Sequence, residues 1–131
     1  MSDIPESLWY SPEHLWAKLL NFSLIRVGIT DFAQESLGDV IDIKLPVVGA
    51  DIATSLPCGE IESNKSVSEL VAPVTGTVKQ VNEALSDRPE IVNTSPYEDG
   101  WIFDVRVEPS SSGDQLAALL DAEKYKDHVG G

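Results

Sequence analysis

Gly59-Glu60-Ile61-Glu62-Ser63-Asn64-Lys65-Ser66-Val67-Ser68-Glu69-Leu70-Val71 is the stretch from which the rest of the chain is read. Two short apolar segments, Gly59 to Ile61 and Val67 to Val71, flank the polar run Glu62-Ser63-Asn64-Lys65-Ser66. Strand-like residues on both sides of such a run describe a tight hairpin. Asn64 is the expected turn residue, because Asn tolerates left-handed backbone and can hydrogen-bond its own main chain. Lys65 then sits at the tip and projects into solvent. It is one of only six lysines in a chain carrying 22 acids against nine bases. An exposed turn is an ordinary place for a lysine, so the hairpin alone does not assign it a role.

Outward from the hairpin, the chain keeps producing short strands. On the N-terminal side, Leu8 to Tyr10 is a brief apolar opening closed by Ser11-Pro12, and Leu15 to Leu20 with Leu24 to Ile29 form a second hairpin through Asn21. Its joining region, Leu19-Leu20-Asn21-Phe22-Ser23, is unusually apolar for a turn and reads as a core-facing hairpin end or a contact patch. Thr30-Asp31 offers an N-cap, and Phe32 to Leu37 followed by Gly38 completes a helix of about two turns. Val40 to Leu45 alternates as a half-buried strand, ended by Pro46. Val47 to Ala50 reads as a turn and Asp51 to Leu56 as a weak connecting strand.

Beyond the lysine hairpin, Ala72-Pro73-Val74-Thr75-Gly76 is a turn with proline and glycine at its corners, and Thr77 to Val81 alternates again. Asn82 to Gly100 is polar, with Pro89 and Pro96, and reads as a long loop holding a helical turn. Trp101 to Val107 is the strongest strand pattern. Pro109 to Gly113 is a linker, and the segment from Gln115 to about Asp127 is helical, with a possible break. Closely spaced short strands with one internal helix and a helical tail predict a mainly-β sandwich or barrel forming one domain over residues 1–131.

Composition narrows the function. The net charge of −13 repels phosphate backbones, which argues against nucleic-acid binding, and favours solubility and encounter with basic clefts. No run approaches the roughly 20 apolar residues of a membrane span. Met1-Ser2-Asp3-Ile4-Pro5-Glu6 has no basic or apolar leader region, and the single cysteine, Cys58, suits a reducing compartment. The expected location is the bacterial cytoplasm, or the mitochondrial matrix if a transit peptide has been removed. Cys58 and the histidines His14 and His128 are scattered, so no nucleophile–base pair or zinc cluster is indicated. Cys58 reads as a buried structural thiol, and Glu60 and Glu62 as solvated acids. Calcium-loop, Walker and dinucleotide patterns are absent. The expectation is a protein that is not an enzyme.

In order, the motifs resemble the H proteins of the glycine cleavage system, which are lipoyl carriers. Tyr10-Ser-Pro-Glu-His14-Leu-Trp16 is similar to the family's opening Y-x-x-x-H-E-W. Val27-Gly-Ile-Thr-Asp-Phe-Ala-Gln34, Leu37-Gly-Asp39 and Leu45-Pro46 follow in the family's order. Then come Gly59 to Lys65, Ala72 to Gly76, Val81-Asn-Glu-Ala-Leu85, Val92-Asn-Thr-Ser-Pro-Tyr97 and Gly100-Trp101. The resemblance runs nearly end to end and implies a lipoyl-type barrel-sandwich of two antiparallel sheets with an added C-terminal helix. It implies lipoic acid in amide linkage to Lys65, with Glu62, Ser63, Asn64 and Ser66 forming the attachment hairpin that modifying enzymes recognise. In the family the arm takes an aminomethyl group from the pyridoxal-phosphate-dependent glycine decarboxylase (P protein). It passes the one-carbon unit to an aminomethyltransferase (T protein), and dihydrolipoamide dehydrogenase (L protein) reoxidises it. These proteins and the lipoate-attaching enzymes are the implied partners of a monomeric carrier.

One departure stands out. The family places an acid after the histidine of its opening motif, associated with holding the amine of the loaded arm in a surface cleft; this chain has Leu15. Leu15, Phe32 and Glu69 are the residues expected to line that cleft, with Glu13 or Glu69 as substitutes for the missing acid. Weaker protection of the loaded arm is therefore expected, and an H-like protein that stores lipoyl groups or relays them to other complexes is the alternative role. The resemblance places no metal in the protein. Biotin acceptors are less similar, since they flank their lysine with methionine, whereas Lys65 has Asn64 and Ser66.

Overall fold

A computed structural model describes residues 3–130; Met1, Ser2 and Gly131, parts of the sequence readings above, lie outside the described residues. The strands are β1 (Trp9–Tyr10), β2 (Leu15–Asn21), β3 (Leu24–Ile29), β4 (Val40–Lys44), β5 (Asp51–Ile52), β6 (Pro57–Ser63), β7 (Val67–Val71), β8 (Gly76–Val81) and β9 (Phe103–Arg106). They form two sheets, ordered β1-β2-β3-β9-β8-β5 and β4-β6-β7, with every pairing antiparallel. Alternation turns one side of each strand inward. Ile25, Val27, Val78, Phe103 and Val105 of the larger sheet share one core with Ile43, Ile61 and Leu70 of the smaller. The expected mainly-β fold of two antiparallel sheets is the one found.

The helices trim this sandwich. Helix α1 (Asp31–Leu37) starts where predicted: Thr30 Oγ1 accepts from the Ala33 amide at 3.1 Å, and Gly38, at φ +80°, ends it. The segment 82–100 holds two short turns, α2 (Ala84–Asp87) and α3 (Ile91–Thr94), where one had been expected. The C-terminal helix is broken into α4 (Ser112–Ala117) and α5 (Ala122–His128). α4 begins inside the predicted 109–113 linker, at Ser112. Between the two helices Leu120 exchanges both backbone bonds with Tyr10, each 2.8 Å, which explains the break. A second apolar cluster of Leu8, Tyr10, Trp16, Ala122 and Tyr125 then fastens α5 to the first strands, with Tyr10 and Tyr125 stacked at 4.6 Å.

Three local expectations are corrected. The β9 ladder is shorter than Trp101 to Val107, because the Trp101 carbonyl accepts from Asn82 Nδ2 at 2.8 Å and its amide turns back to Glu98. Strand β5 stops at Ile52, since Ser55 adopts φ +71° and closes a turn against Ala72. The 19–23 hairpin end does not face the core: Leu19 and Leu20 are exposed and Phe22 is 71% exposed.

Candidate functional site

The β6–β7 hairpin carries Lys65 at its tip, exposed as the sequence predicts. Its closure does not follow the expected route. Asn64 is not among the non-glycine residues at positive φ, which are His14 and Ser55. Ser63 makes the turn instead. Its hydroxyl accepts from the Lys65 and Ser66 amides, both at 3.2 Å, and donates to the Ser66 carbonyl at 3.3 Å. The Ser63 amide also donates to that carbonyl at 2.8 Å. A serine hydroxyl reaching main-chain groups two and three residues on is a local substitute for a backbone turn. The Asn64 amide donates to the Asp39 carbonyl at 3.2 Å, tying the tip to the segment after α1. Glu62 lies opposite Asp42 and Val67 and is exposed, while Glu60 meets Lys44 at 3.6 Å.

Beside the tip is a groove of about 380 Å³, bounded by β7, the start of β2, the end of β3 and α1. Leu15, Phe32 and Glu69, named from sequence as cleft residues, all line it, together with Glu13, His14 and Leu37. Three segments far apart in the chain meet there. Leu15 is only 2% exposed and pairs with Ile29, so it forms apolar floor. Glu13 and Glu69 are exposed, so two carboxylates border the same groove. Ser66 and Val67 enter its lining directly after Lys65, and Ser36 and Leu37 directly before Gly38. A larger hollow of about 630 Å³, lined by Arg26, Arg88 and Trp101, shares none of these residues.

The sequence sets His14 and His128 at opposite ends of the chain and does not single out Tyr125, but the fold brings the three rings together; of these only His14 lines the groove. His14 Nδ1 lies 2.8 Å from Tyr125 Oη, which lies 2.8 Å from Thr30 Oγ1. The His14 ring also packs on Phe32 at 4.8 Å and beside His128 at 5.6 Å. Burial holds the His14 imidazole below the usual histidine range, and the neighbouring His128 adds to the effect. Burial likewise raises the Tyr125 phenol. Thr30 has no exposure and its oxygen also accepts from the Ala33 amide, so Thr30, Tyr125 and His14 form one continuous hydrogen-bonded chain. Nothing local in the α5 sequence could have announced this contact, which spans 111 positions.

Cys58 is half-buried rather than fully buried, and burial pushes its thiol up to about 11, as suits an unreactive side chain. Among the described residues no group of three or more His, Cys, Asp or Glu could hold a metal ion, and no helix is long and apolar enough to cross a membrane.

The family model described as "Glycine cleavage H-protein" matches residues 8–130. A glycine cleavage system H protein of Mycolicibacterium smegmatis is 51% identical over 126 residues, covering 96% of each chain. One of Micrococcus luteus is 49% identical over 130 residues, covering 98% of this chain and 99% of its own. The crystal structure of a glycine cleavage system H protein from Mycobacterium marinum superimposes with a TM-score of 0.88 at 35% identity, covering 98% of this chain and 100% of that one.

Proposed function

This chain belongs to the glycine cleavage H-protein family, and from that premise we propose that it is a lipoyl carrier of glycine cleavage, with lipoic acid amide-linked to Lys65. The observation that carries the reading is an exposed lysine on a pinned hairpin tip at the mouth of a groove with an apolar floor and carboxylates at its border. When attached, the dithiolane would supply the redox and group-carrying chemistry by which glycine cleavage links the P, T and L proteins.

The side chains present suit that group. Leu15, Phe32, Leu37 and Leu70 offer apolar surface to methylenes and sulfur, and Glu13 and Glu69 offer acceptors to an ammonium. Ser63 and the Asn64–Asp39 bond restrict the tip, so the lysine is presented in one turn geometry to the enzyme that modifies it. A tethered arm raises the local concentration of its head at each partner's site, and the charge of −13 suits brief docking of a monomer on larger proteins with basic clefts. On this reading the whole chain is one cytoplasmic carrier domain without catalytic residues of its own.

Intact mass of protein purified from its own host tests the assignment. A lipoyl or octanoyl adduct that disappears with Lys65→Arg is expected; an unmodified Lys65 would sink the carrier reading. Glycine–bicarbonate exchange with the P protein then separates cleavage from lipoyl relay. Relay draws support from the apolar Leu15 floor, whereas Glu13 and Glu69 at the groove favour cleavage.

A further inference from the structure

Gly38 and Asn93 both belong to motifs that the carrier role leaves unexplained. Gly38 lies directly under the lysine: a β-carbon built on it would stand 3.0 Å from Lys65 Cε and 3.5 Å from Lys65 Nζ. The lysine stem therefore runs across bare backbone instead of extending straight from the tip. Asn93 holds that backbone in place. Its Nδ2 donates to the Gly38 carbonyl at 2.9 Å and to Gln34 Oε1 at 3.1 Å, and its Oδ1 accepts from the Val40 amide at 2.9 Å. Between them, the Asp39 carbonyl accepts from the Asn64 amide. Three consecutive residues, Gly38 to Val40, are thus pinned under the hairpin, two by Asn93 and one by the tip itself. Their neighbours Ser36 and Leu37, and the lysine's neighbours Ser66 and Val67, line the groove.

Resting on the reading that Lys65 bears the arm, we propose that Gly38, held by Asn93, is a positioning residue that directs the lysine stem along the end of α1 toward the groove. A glycine at φ +80° has a simpler use as a helix terminator, and that use predicts nothing about the lysine. Gly49 separates the two. It has φ +90° with nothing within 4 Å of an added β-carbon, so Gly49→Ala imposes the same kind of backbone strain in open space. At Gly38 the one atom inside ordinary contact distance is Lys65 Cε, near the end of a flexible side chain, with Asn64 Oδ1 and Lys65 Nζ both at 3.5 Å, so an alanine moves the stem rather than the fold.

The test uses the unmodified and lipoylated full chain. In the unmodified protein, nuclear Overhauser contacts are expected between the Lys65 ε-methylene and the Gly38 α-protons; their absence in the wild type overturns the shelf. They should survive Gly49→Ala, and the Lys65 ε-methylene should lose its contacts with residue 38 in Gly38→Ala. Once lipoylated, the dithiolane of Gly38→Ala should be reduced by tris(carboxyethyl)phosphine at least about twofold faster than in wild type or Gly49→Ala, the smallest change expected when the stem loses its majority rotamer. Asn93→Asp keeps the acceptor for Val40 and loses the donor to Gly38, so it should shift the same two readouts even if Gly38→Ala fails to fold. If both variants match Gly49→Ala, the positioning role is overturned and the carrier reading stands. If no lipoyl group attaches to Lys65 in the wild type, the carrier reading itself fails.

Discussion

Ser63→Ala is the change that most directly probes how the hairpin presents its lysine. The hydroxyl makes three contacts, two as acceptor at 3.2 Å and one as donor at 3.3 Å. All are at the long end of the hydrogen-bond range, and Lys65 and Ser66 are exposed enough for water to replace the lost partner. The loss is therefore nearer one net hydrogen bond than three, about 1 kcal/mol. The Ser63 amide still donates to the Ser66 carbonyl at 2.8 Å, so the strands stay paired and the effect stays local. One kcal/mol corresponds to about fivefold in the opening equilibrium of the tip, so the Lys65 and Ser66 amides should exchange about fivefold faster. The KM for enzymatic lipoate attachment should stay within about twofold, because the closed turn remains the major state after fivefold more opening. Ser63→Thr, which keeps a hydroxyl, should restore the slower exchange. Asn64→Ala should change exchange by less than about twofold, since Asn64 acts through its backbone amide. Unchanged protection at Lys65 and Ser66 in Ser63→Ala would refute the turn mechanism.

Three further outcomes follow from the groove and the residues packed behind His14. Tyr125→Phe keeps the stacked ring but strips the buried Thr30 hydroxyl of its partner, so the urea midpoint should fall by the equivalent of about 1–3 kcal/mol with the m-value unchanged; an unmoved midpoint contradicts the chain from Thr30 to His14. Burial lowers the His14 imidazole in the native state, so below about pH 6.5 the unfolded chain binds the extra proton and stability should fall as pH drops toward 5. His14→Asn, which tolerates the φ of +72°, should flatten that slope in urea titrations at each pH, and an equally steep slope would show that other groups cause it. Leu15→Glu should lengthen the lifetime of the aminomethyl-loaded arm while costing about 2–3 kcal/mol of stability, because position 15 is core as well as groove; an unchanged lifetime would remove the significance given to the missing acid.

The strands and their order were legible because alternation and turn residues act over two to six positions, and the β2, β3, α1, β4, β7 and β8 boundaries fall within about two residues of the pattern. What escaped depended on contacts that sequence order hides. The Leu19–Phe22 hairpin end is apolar yet exposed, and no periodicity distinguishes an apolar turn that faces inward from one that faces out. The C-terminal helix breaks because Leu120 pairs with Tyr10, a bridge across more than a hundred positions. Ser63 rather than Asn64 closes the turn because its hydroxyl lies at a 4% exposed strand end, close to the amides it serves. Composition favours Asn in turns, but here geometry favours the buried hydroxyl.

The same distinction explains why a candidate carrier lysine is legible in the sequence and its surroundings only in outline. A carrier lysine needs exposure and a rigid base, and both can be encoded in one hairpin of consecutive residues. A resting groove needs walls, and these come from residues 13–15, 29–37, 61 and 66–70, which meet only because the two sheets stack. Leu15 illustrates the consequence. From sequence it is a lost acid; in the fold it is a floor residue between sheets, with Glu13 and Glu69 bordering the space above it. Replacing one fixed acid with an apolar floor does not empty the groove of negative charge. It moves that charge from a buried position, where each charge–charge contact is strong but desolvation is costly, to exposed ones, where both effects are weaker. On the carrier reading proposed above, such a groove holds an apolar arm through contact and a cationic head through solvent-screened attraction. Salt should therefore loosen the loaded arm more than the unloaded one, a difference that a buried carboxylate at position 15 would not produce.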